Sequence, residues 1–202
     1  MSRYRSNTAI YDGIVFRSDA EVRVYKKLVS LYGKVDYEKQ TYTMIPTKRC
    51  IKIPFYNRIG GKFVSDYKPL QRITYTPDFS FNYKGIDVIV EVKGFENDVF
   101  PYKKKLFRMY LEEHCKNTMY FEVRTIKEVV MMSEILSKES SNTLKLREVL
   151  CSLPLEDKHL LSLIKACEKH DWKLVRDIVC KLKTMTTLIE TLIKQIEDEE
   201  TK

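Results

Sequence analysis

Apolar and polar positions alternate along this chain in several registers, and the changes of register mark out its elements. From Ser18 to about Tyr32 the spacing is helical: Glu21, Tyr25, Leu28 and Tyr32 fall on one face, so the buried stripe opens with a carboxylate. Residues 35–81 then alternate extended, β-rich runs with turn signals. Strands are predicted at Gln40 to Ile45, Cys50 to Tyr56 and Ile73 to Phe81, with a Gly60-Gly61 turn, as a meander. After a hairpin turn at Asn82-Tyr83-Lys84-Gly85 comes Ile86 to Gly94, whose β-branched density suits a central strand. Pro101 sits where a helix can begin, running from Lys103 to about His114, and Met119 to Arg124 reads as a final strand. From Ile126 onward glycine disappears and leucine-rich periodic segments run at about 126–138, 142–152, 155–169 and 171–197, predicting an all-helical C-terminal segment. The expected division is therefore 1–125 and 126–202, an α/β unit with a mixed central sheet flanked by helices and then a helical appendage. The acidic end, Glu197 to Glu200, reads as a frayed, solvated tail.

Side-chain alternation carries candidate chemistry to one place. In the central strand Asp87, Ile89, Glu91 and Lys93 share one side, while Ile86, Val88, Val90 and Val92 share the other. In the preceding strand Ile73, Tyr75, Phe79 and Phe81 are expected on one face and Thr74, Thr76, Asp78 and Ser80 on the opposite one. Pairing Phe81 with Ile86 sets Asp78 across from Ile89 and diagonal to Glu91. Two carboxylates beside a lysine at a buried strand end are costly with nothing between them, and a hard cation removes the cost. Mg²⁺, for which Mn²⁺ can substitute, takes carboxylate and carbonyl oxygens and keeps several waters, so Asp78, Glu91 and the backbone carbonyl of Val92 form a candidate metal site. A water held there can attack phosphorus, with Lys93 orienting or deprotonating it and stabilising the developing charge.

Composition narrows the partners. Of the net charge of +8, residues 1–125 carry 23 Lys and Arg against 14 Asp and Glu, while residues 126–202 carry 13 against 14, so the excess sits in the first part and points to a polyanion. A hydrophobic content of 44% is that of a folded chain. The sequence has no apolar run of bilayer length and no hydrophobic segment behind Met1-Ser2-Arg3, so a cytoplasmic protein away from membranes is expected. The five cysteines (Cys50, Cys115, Cys151, Cys167 and Cys180) lack C-x-x-C spacing and read as reduced core thiols; His114, His159 and His170 lack metal-ligand spacing. Most of the 13 tyrosines are assigned to the core.

Thr76-Pro77-Asp78-Phe79, thirteen residues from Asp78 to Glu91, and then Glu91-Val92-Lys93-Gly94 resemble the signature of the PD-(D/E)XK, or restriction-endonuclease-like, nuclease superfamily. The resemblance covers roughly the first 110–125 residues and is especially marked with small phage-borne and mobile-element nucleases, including a group usually described only as a domain of unknown function. It implies a metal-dependent DNA endonuclease, structure- or end-directed, acting in phage or mobile-element replication and recombination. It also implies that Glu21, in the helix beginning Ser18-Asp19-Ala20-Glu21, completes the metal site, that Gln40 assists, and that Lys103, Lys105 and Arg108 contact the nucleic-acid backbone. Ser18-x-x-Glu21 is equally a capping box, and both roles can hold together. The transposon end-cleaving nuclease TnsA also places a helical domain after a similar core, which implies a subunit active only within a complex. A different reading of the helical region is a catalytically silent binding module whose apolar stripes recruit a protein partner or form a homodimer.

Overall fold

In the computed structural model, which describes residues 8–94, 98–153, 157–181 and 186–201, the elements follow in the order β1 (Ala9–Tyr11), β2 (Ile14–Phe16), α1 (Asp19–Tyr32), β3 (Asp36–Tyr37), β4 (Tyr42–Ile45), β5 (Tyr56–Ile59), β6 (Lys62–Ser65), β7 (Ile73–Tyr75), β8 (Phe79–Tyr83), β9 (Ile86–Val92), α2 (Phe100–His114), β10 (Thr118–Val123), α3 (Ile126–Lys138), α4 (Ser141–Cys151), α5 (Asp157–Glu168), α6 (Trp172–Lys181) and α7 (Thr186–Glu200). The class is mixed α/β with a helical C-terminal part, as expected. The central sheet has the order β10-β9-β8-β3, with β8 antiparallel to both its neighbours and β10 parallel to β9 across the α2 crossover.

Helix α1 starts where Ser18 accepts the Glu21 N–H and stops at Gly33, whose φ of 77° suits a residue without Cβ and whose N–H returns to the Val29 carbonyl. Its predicted stripe is the observed one: Glu21, Tyr25 and Leu28 are buried and Tyr32 stacks on Phe81 with ring centroids 4.5 Å apart. That stripe and α3 cover one face of the sheet, made by Phe79, Phe81, Ile86, Val88 and Val90. On the opposite face Ile89 packs with Tyr42, Tyr75, Phe100 and Phe107, so α2 and the β4–β7 pair form the third layer.

Several expectations need correction. The run Ile73 to Phe81 is not one strand: it breaks before Phe79, because Pro77 has no N–H for the ladder, and β7 pairs with β4 instead. Tyr75 consequently joins Ile89 and Phe107 rather than the Phe79 face. Cys50 to Phe55, interrupted by Pro54, forms no strand, and the hairpin begins only at Tyr56. The segment 171–197 is two helices, α6 and α7, with residues 182–185 outside the described set. The acidic end is the last turn of α7 rather than a frayed tail: Glu197 pairs with Arg176, Glu199 accepts from Asn142, and Glu200 meets His170 and the Trp172 indole N–H. Of the cysteines Cys167 is buried, Cys115 is half-buried, and Cys50 and Cys151 are exposed; the Cys180 side chain lies outside the described residues. A tight hairpin, β1–β2, turns at Asp12-Gly13 with φ of 53° and 73°, a signal present in the sequence but not read there.

Apolar packing also relocates α3. Thr125 caps it in a capping box with Glu128, and its buried Val129, Met132 and Leu136 belong to the sheet's core, past the boundary expected near residue 125. Helices α4 to α7 close on one another around Leu146, Leu150, Leu163, Val175, Ile189 and Ile193, so their apolar stripes serve an internal core. No helix among the described residues is long and apolar enough to cross a membrane.

Leu136 is fully buried while its neighbour Ile135 is 48% exposed. Leu136→Ala is expected to cost about 2–5 kcal/mol in urea unfolding, and Ile135→Ala within about 0.5 kcal/mol of nothing. Equal effects would contradict the packing of α3 on the sheet.

Candidate active site

The observed β8–β9 register differs from the expected one. Tyr83 pairs with Ile86 and Phe79 with Val90, because only Lys84 and Gly85 turn the chain, at φ of 50° and 81°, with Asn82 Oδ1 accepting the Gly85 N–H. Continued one step, this register puts Asp78 directly across from Glu91 rather than diagonal to it. Asp78 Oδ2 accepts the Val92 N–H at 2.6 Å, and the Asp78 carbonyl accepts the Glu38 N–H at 2.8 Å, so both ends of the residue are held by neighbouring chain. The expected face of β9 is observed: Glu91 and Lys93 point the same way, and Lys93 Nζ lies 2.6 Å from Glu91 Oε1 and 3.2 Å above the Phe100 ring centroid.

Glu91 Oε2 is buried and forms no hydrogen bond of ordinary geometry among the described residues, although the Tyr75 hydroxyl bears on the Glu91 carboxylate. Burial and the Glu91 charge push the Asp78 carboxyl up to about 7; Glu21 adds to the rise, while the Val92 N–H and Lys93 act against it. The structure therefore brings Glu21, Asp78, Glu91 and Lys93 into one electrostatic neighbourhood. Glu21 is itself fully engaged: Oε2 accepts from the Tyr37 hydroxyl at 2.7 Å and the Arg17 N–H at 3.0 Å, and Oε1 accepts from Ser18 Oγ at 2.8 Å. Ser18 caps the Glu21 N–H, but the Glu21 carboxylate takes the Arg17 N–H rather than that of Ser18, so the capping box is only half formed, and as a metal ligand Glu21 would have to exchange these partners. Among the described residues no group of three or more His, Cys, Asp and Glu side chains is arranged to hold a metal ion. What does suit a cation is the bare Glu91 Oε2 opposite the crowded Asp78, together with the Val92 carbonyl, which in an extended strand lies on the same side as its N–H.

Behind Glu91 runs a polar chain that the sequence reading missed. Parallel pairing sets Glu122 beside Glu91 and Tyr120 beside Ile89; the Tyr75 and Tyr120 hydroxyls are 3.3 Å apart, Tyr120 donates to Glu122 at 3.2 Å, and Lys104 Nζ donates to Glu122 at 2.7 Å. Burial, and then the Glu91 charge, holds Tyr75 protonated well above the ordinary tyrosine range. Alternation within β10 could have aligned Tyr120 with Glu122, but not with Glu91, since that needs the parallel register. Lys103, Lys105 and Arg108 are exposed on α2, whereas Lys104 between them turns inward. Arg108 borders a groove of about 860 Å³ between α2, β10 and α4, which includes none of Asp78, Glu91 and Lys93. Gln40 is exposed beyond β3 and is not gathered into the site.

The Asp78 environment has a stability consequence. In the metal-free protein this carboxyl keeps its proton up to about 7, against 3.8 for an ordinary aspartate. Between those values the folded state binds more protons than the unfolded chain, so this residue's contribution to stability falls as pH rises through that window. Asp78→Asn keeps an acceptor for Val92 without the charge. Melting in chelator is expected to show the variant near wild type at pH 4 and more stable than wild type at pH 8; a difference that stays constant with pH would refute the crowding.

Comparison with known proteins adds the family. Residues 1–129, from the N-terminus through β10 and into α3, match the family described as protein of unknown function, DUF1064. No curated protein and no solved structure matches the chain. With well over half of its length matched, the chain belongs to the DUF1064 family.

Proposed function

We propose that this protein is a Mg²⁺-dependent DNA endonuclease of the PD-(D/E)XK type, hydrolysing phosphodiester bonds with Asp78, Glu91 and Lys93 at its centre. The observation that carries the reading is the convergence of Asp78 and Glu91 across two paired strands with one buried carboxylate oxygen left bare. The mixed sheet, with helices on both faces and the carboxylates at the end of β9, is compatible with the restriction-endonuclease-like arrangement that the signature implies.

Asp78, Glu91 and the Val92 carbonyl would hold the cation, with Glu21 reaching it only after releasing Tyr37 or Ser18. A divalent ion bound there supplies Lewis acidity toward the phosphate and charge that offsets the two carboxylates. Lys93, 2.6 Å from Glu91 and packed on Phe100, is restrained beside the two carboxylates, where a bound phosphate would lie. Freed from Glu91, its ammonium would orient the attacking water and stabilise charge on the phosphoryl oxygens. Water adds to phosphorus, the P–O bond to the leaving sugar oxygen breaks, and that oxygen takes up a proton. Exposed Lys103 and Lys105 are available to the DNA backbone.

Purified protein is expected to cut supercoiled plasmid, a four-way junction or a 5′ flap with Mg²⁺ or Mn²⁺ and not with EDTA. Lys93→Ala and Asp78→Ala should each lower the rate by on the order of 10²-fold or more. A wild type that leaves all these substrates and single-stranded RNA intact with either metal would sink the reading.

A further inference from the structure

The chain between β4 and β7, residues 46–72, returns to the globule at Ile73, five residues before Asp78. Its two limbs are tied at intervals. Tyr42 and Tyr75 anchor the base in the core beside Phe107, Lys48 and Leu70 exchange two backbone hydrogen bonds, the Asp66 N–H reaches the Phe55 carbonyl at 2.8 Å, and β5 pairs with β6 from Tyr56–Ser65 to Ile59–Lys62. The tip turns at Gly60-Gly61, where φ of 57° and 81° is open to glycine at no steric cost. β5 and β6 pack substantially only on each other, and every residue from 46 to 72 is exposed except the half-buried Asp66 and Pro69.

This ribbon exposes what a soluble surface ordinarily hides. Ile53 and Phe63 are 78% exposed, and Ile51, Phe55, Ile59 and Leu70 are each above 60%. It carries seven lysines and arginines against one aspartate, six of the nine excess positive charges found in residues 1–125. Asp66 is used inside the ribbon, accepting from Asn57 Nδ2 and the Lys68 N–H, and among the described residues none of the seven cations forms an ion pair with a carboxylate. Register mixes the two kinds of side chain on both faces: Arg58 lies opposite Phe63 on one, and Lys62 opposite Ile59 on the other.

We propose that residues 46–72 are a nucleic-acid-binding arm, its cations on the phosphate backbone and Phe63 and Ile59 entering a groove; the choice of DNA as the polyanion rests on the nuclease reading. A B-DNA major groove, about 12 Å wide, admits a two-stranded ribbon, and apolar wedges between base steps are a recurrent way of gripping bent or branched DNA. Charge decides against a second copy of the same arm, since two such ribbons would bring like charges together. The mixture on both faces decides against a membrane surface, which requires apolar side chains on one side and cations on the other. Placed beside the strand that leads to Asp78, the arm would deliver the substrate to the carboxylates and set which DNA structures are accepted.

The test is binding of fluorescent linear duplex and four-way junction DNA in EDTA, across a salt series, by wild type, the R58E/K62E double variant, Phe63→Ala and the control Lys194→Ala, with a thermal melt of each. R58E/K62E should bind at least about tenfold more weakly and reduce the slope of log affinity against log salt by roughly two, for two lost phosphate contacts. Phe63→Ala should weaken junction more than linear DNA, Lys194→Ala, exposed on α7, should bind as wild type, and the arm variants should melt as wild type. Unchanged affinity and slope in R58E/K62E would overturn the proposal. So would a change confined to oligomeric state, or lost binding to phosphatidylserine vesicles with DNA affinity intact. Arm-dependent binding by a wild type that cuts nothing would sustain the arm and reject the nuclease, whereas arm variants that bind and cut as wild type would do the reverse.

Discussion

The hydrogen bond from the Val92 N–H to Asp78 joins the ends of two strands, and the geometry of the site follows from it. It exists because Lys84 and Gly85 turn the chain in two residues and commit Tyr83 to Ile86. Strand side chains alternate with period two, so a slip of one residue would send Asp78 to the side of Phe79 and Val90, into the apolar core under α1. The apolar faces of β8 and β9 hold the register: burying Phe79, Phe81, Val88 and Val90 against α1 leaves Asp78 and Glu91 no other side to occupy.

Collecting acids on that side is electrostatically expensive, and separate elements limit the cost. Glu21 is hydrogen-bonded by the Arg17 N–H and the Ser18 and Tyr37 hydroxyls, Glu91 Oε1 is paired with Lys93, and Glu122 is paired with Lys104 and accepts from Tyr120. Lys93 and Glu91 are the most deeply buried of these partners, with side chains 12% and 10% exposed, so removing one would leave the other's charge unpaired in the interior. What remains uncompensated is Glu91 Oε2 and the raised Asp78 carboxyl, and perturbed groups of this kind concentrate at functional sites.

Charge and apolar surface are distributed unequally over the chain for a related reason. Helices α4 to α7 spend their leucine and isoleucine stripes on one another and close their acidic end with Arg176, Asn142 and Trp172. The ribbon 46–72 does the opposite, leaving cations and large apolar groups together in solvent next to the strand that leads into Asp78.

Periodicity by itself determined α1 and its buried stripe, the β9 strand with its two faces, the α2 start near Pro101 and the helical character of the C-terminal part, because these signals are local and each residue's environment follows from its neighbours three, four or two positions away. The spacing of Asp78, Glu91 and Lys93 was likewise legible as a candidate site. Tertiary structure alone decided the rest. Pro77 diverted β7 to β4 and moved Tyr75 to the Glu91 side, the parallel β9–β10 register brought in Glu122 and Tyr120, and α3 joined the sheet's core rather than the helices that follow it. Within the meander expected over 35–81, residues 46–72 became an exposed ribbon, since strand propensity says that a segment is extended but not whether anything packs on it. Pairing partner, register and burial depend on contacts between residues far apart in the chain, and a local pattern carries no term for them.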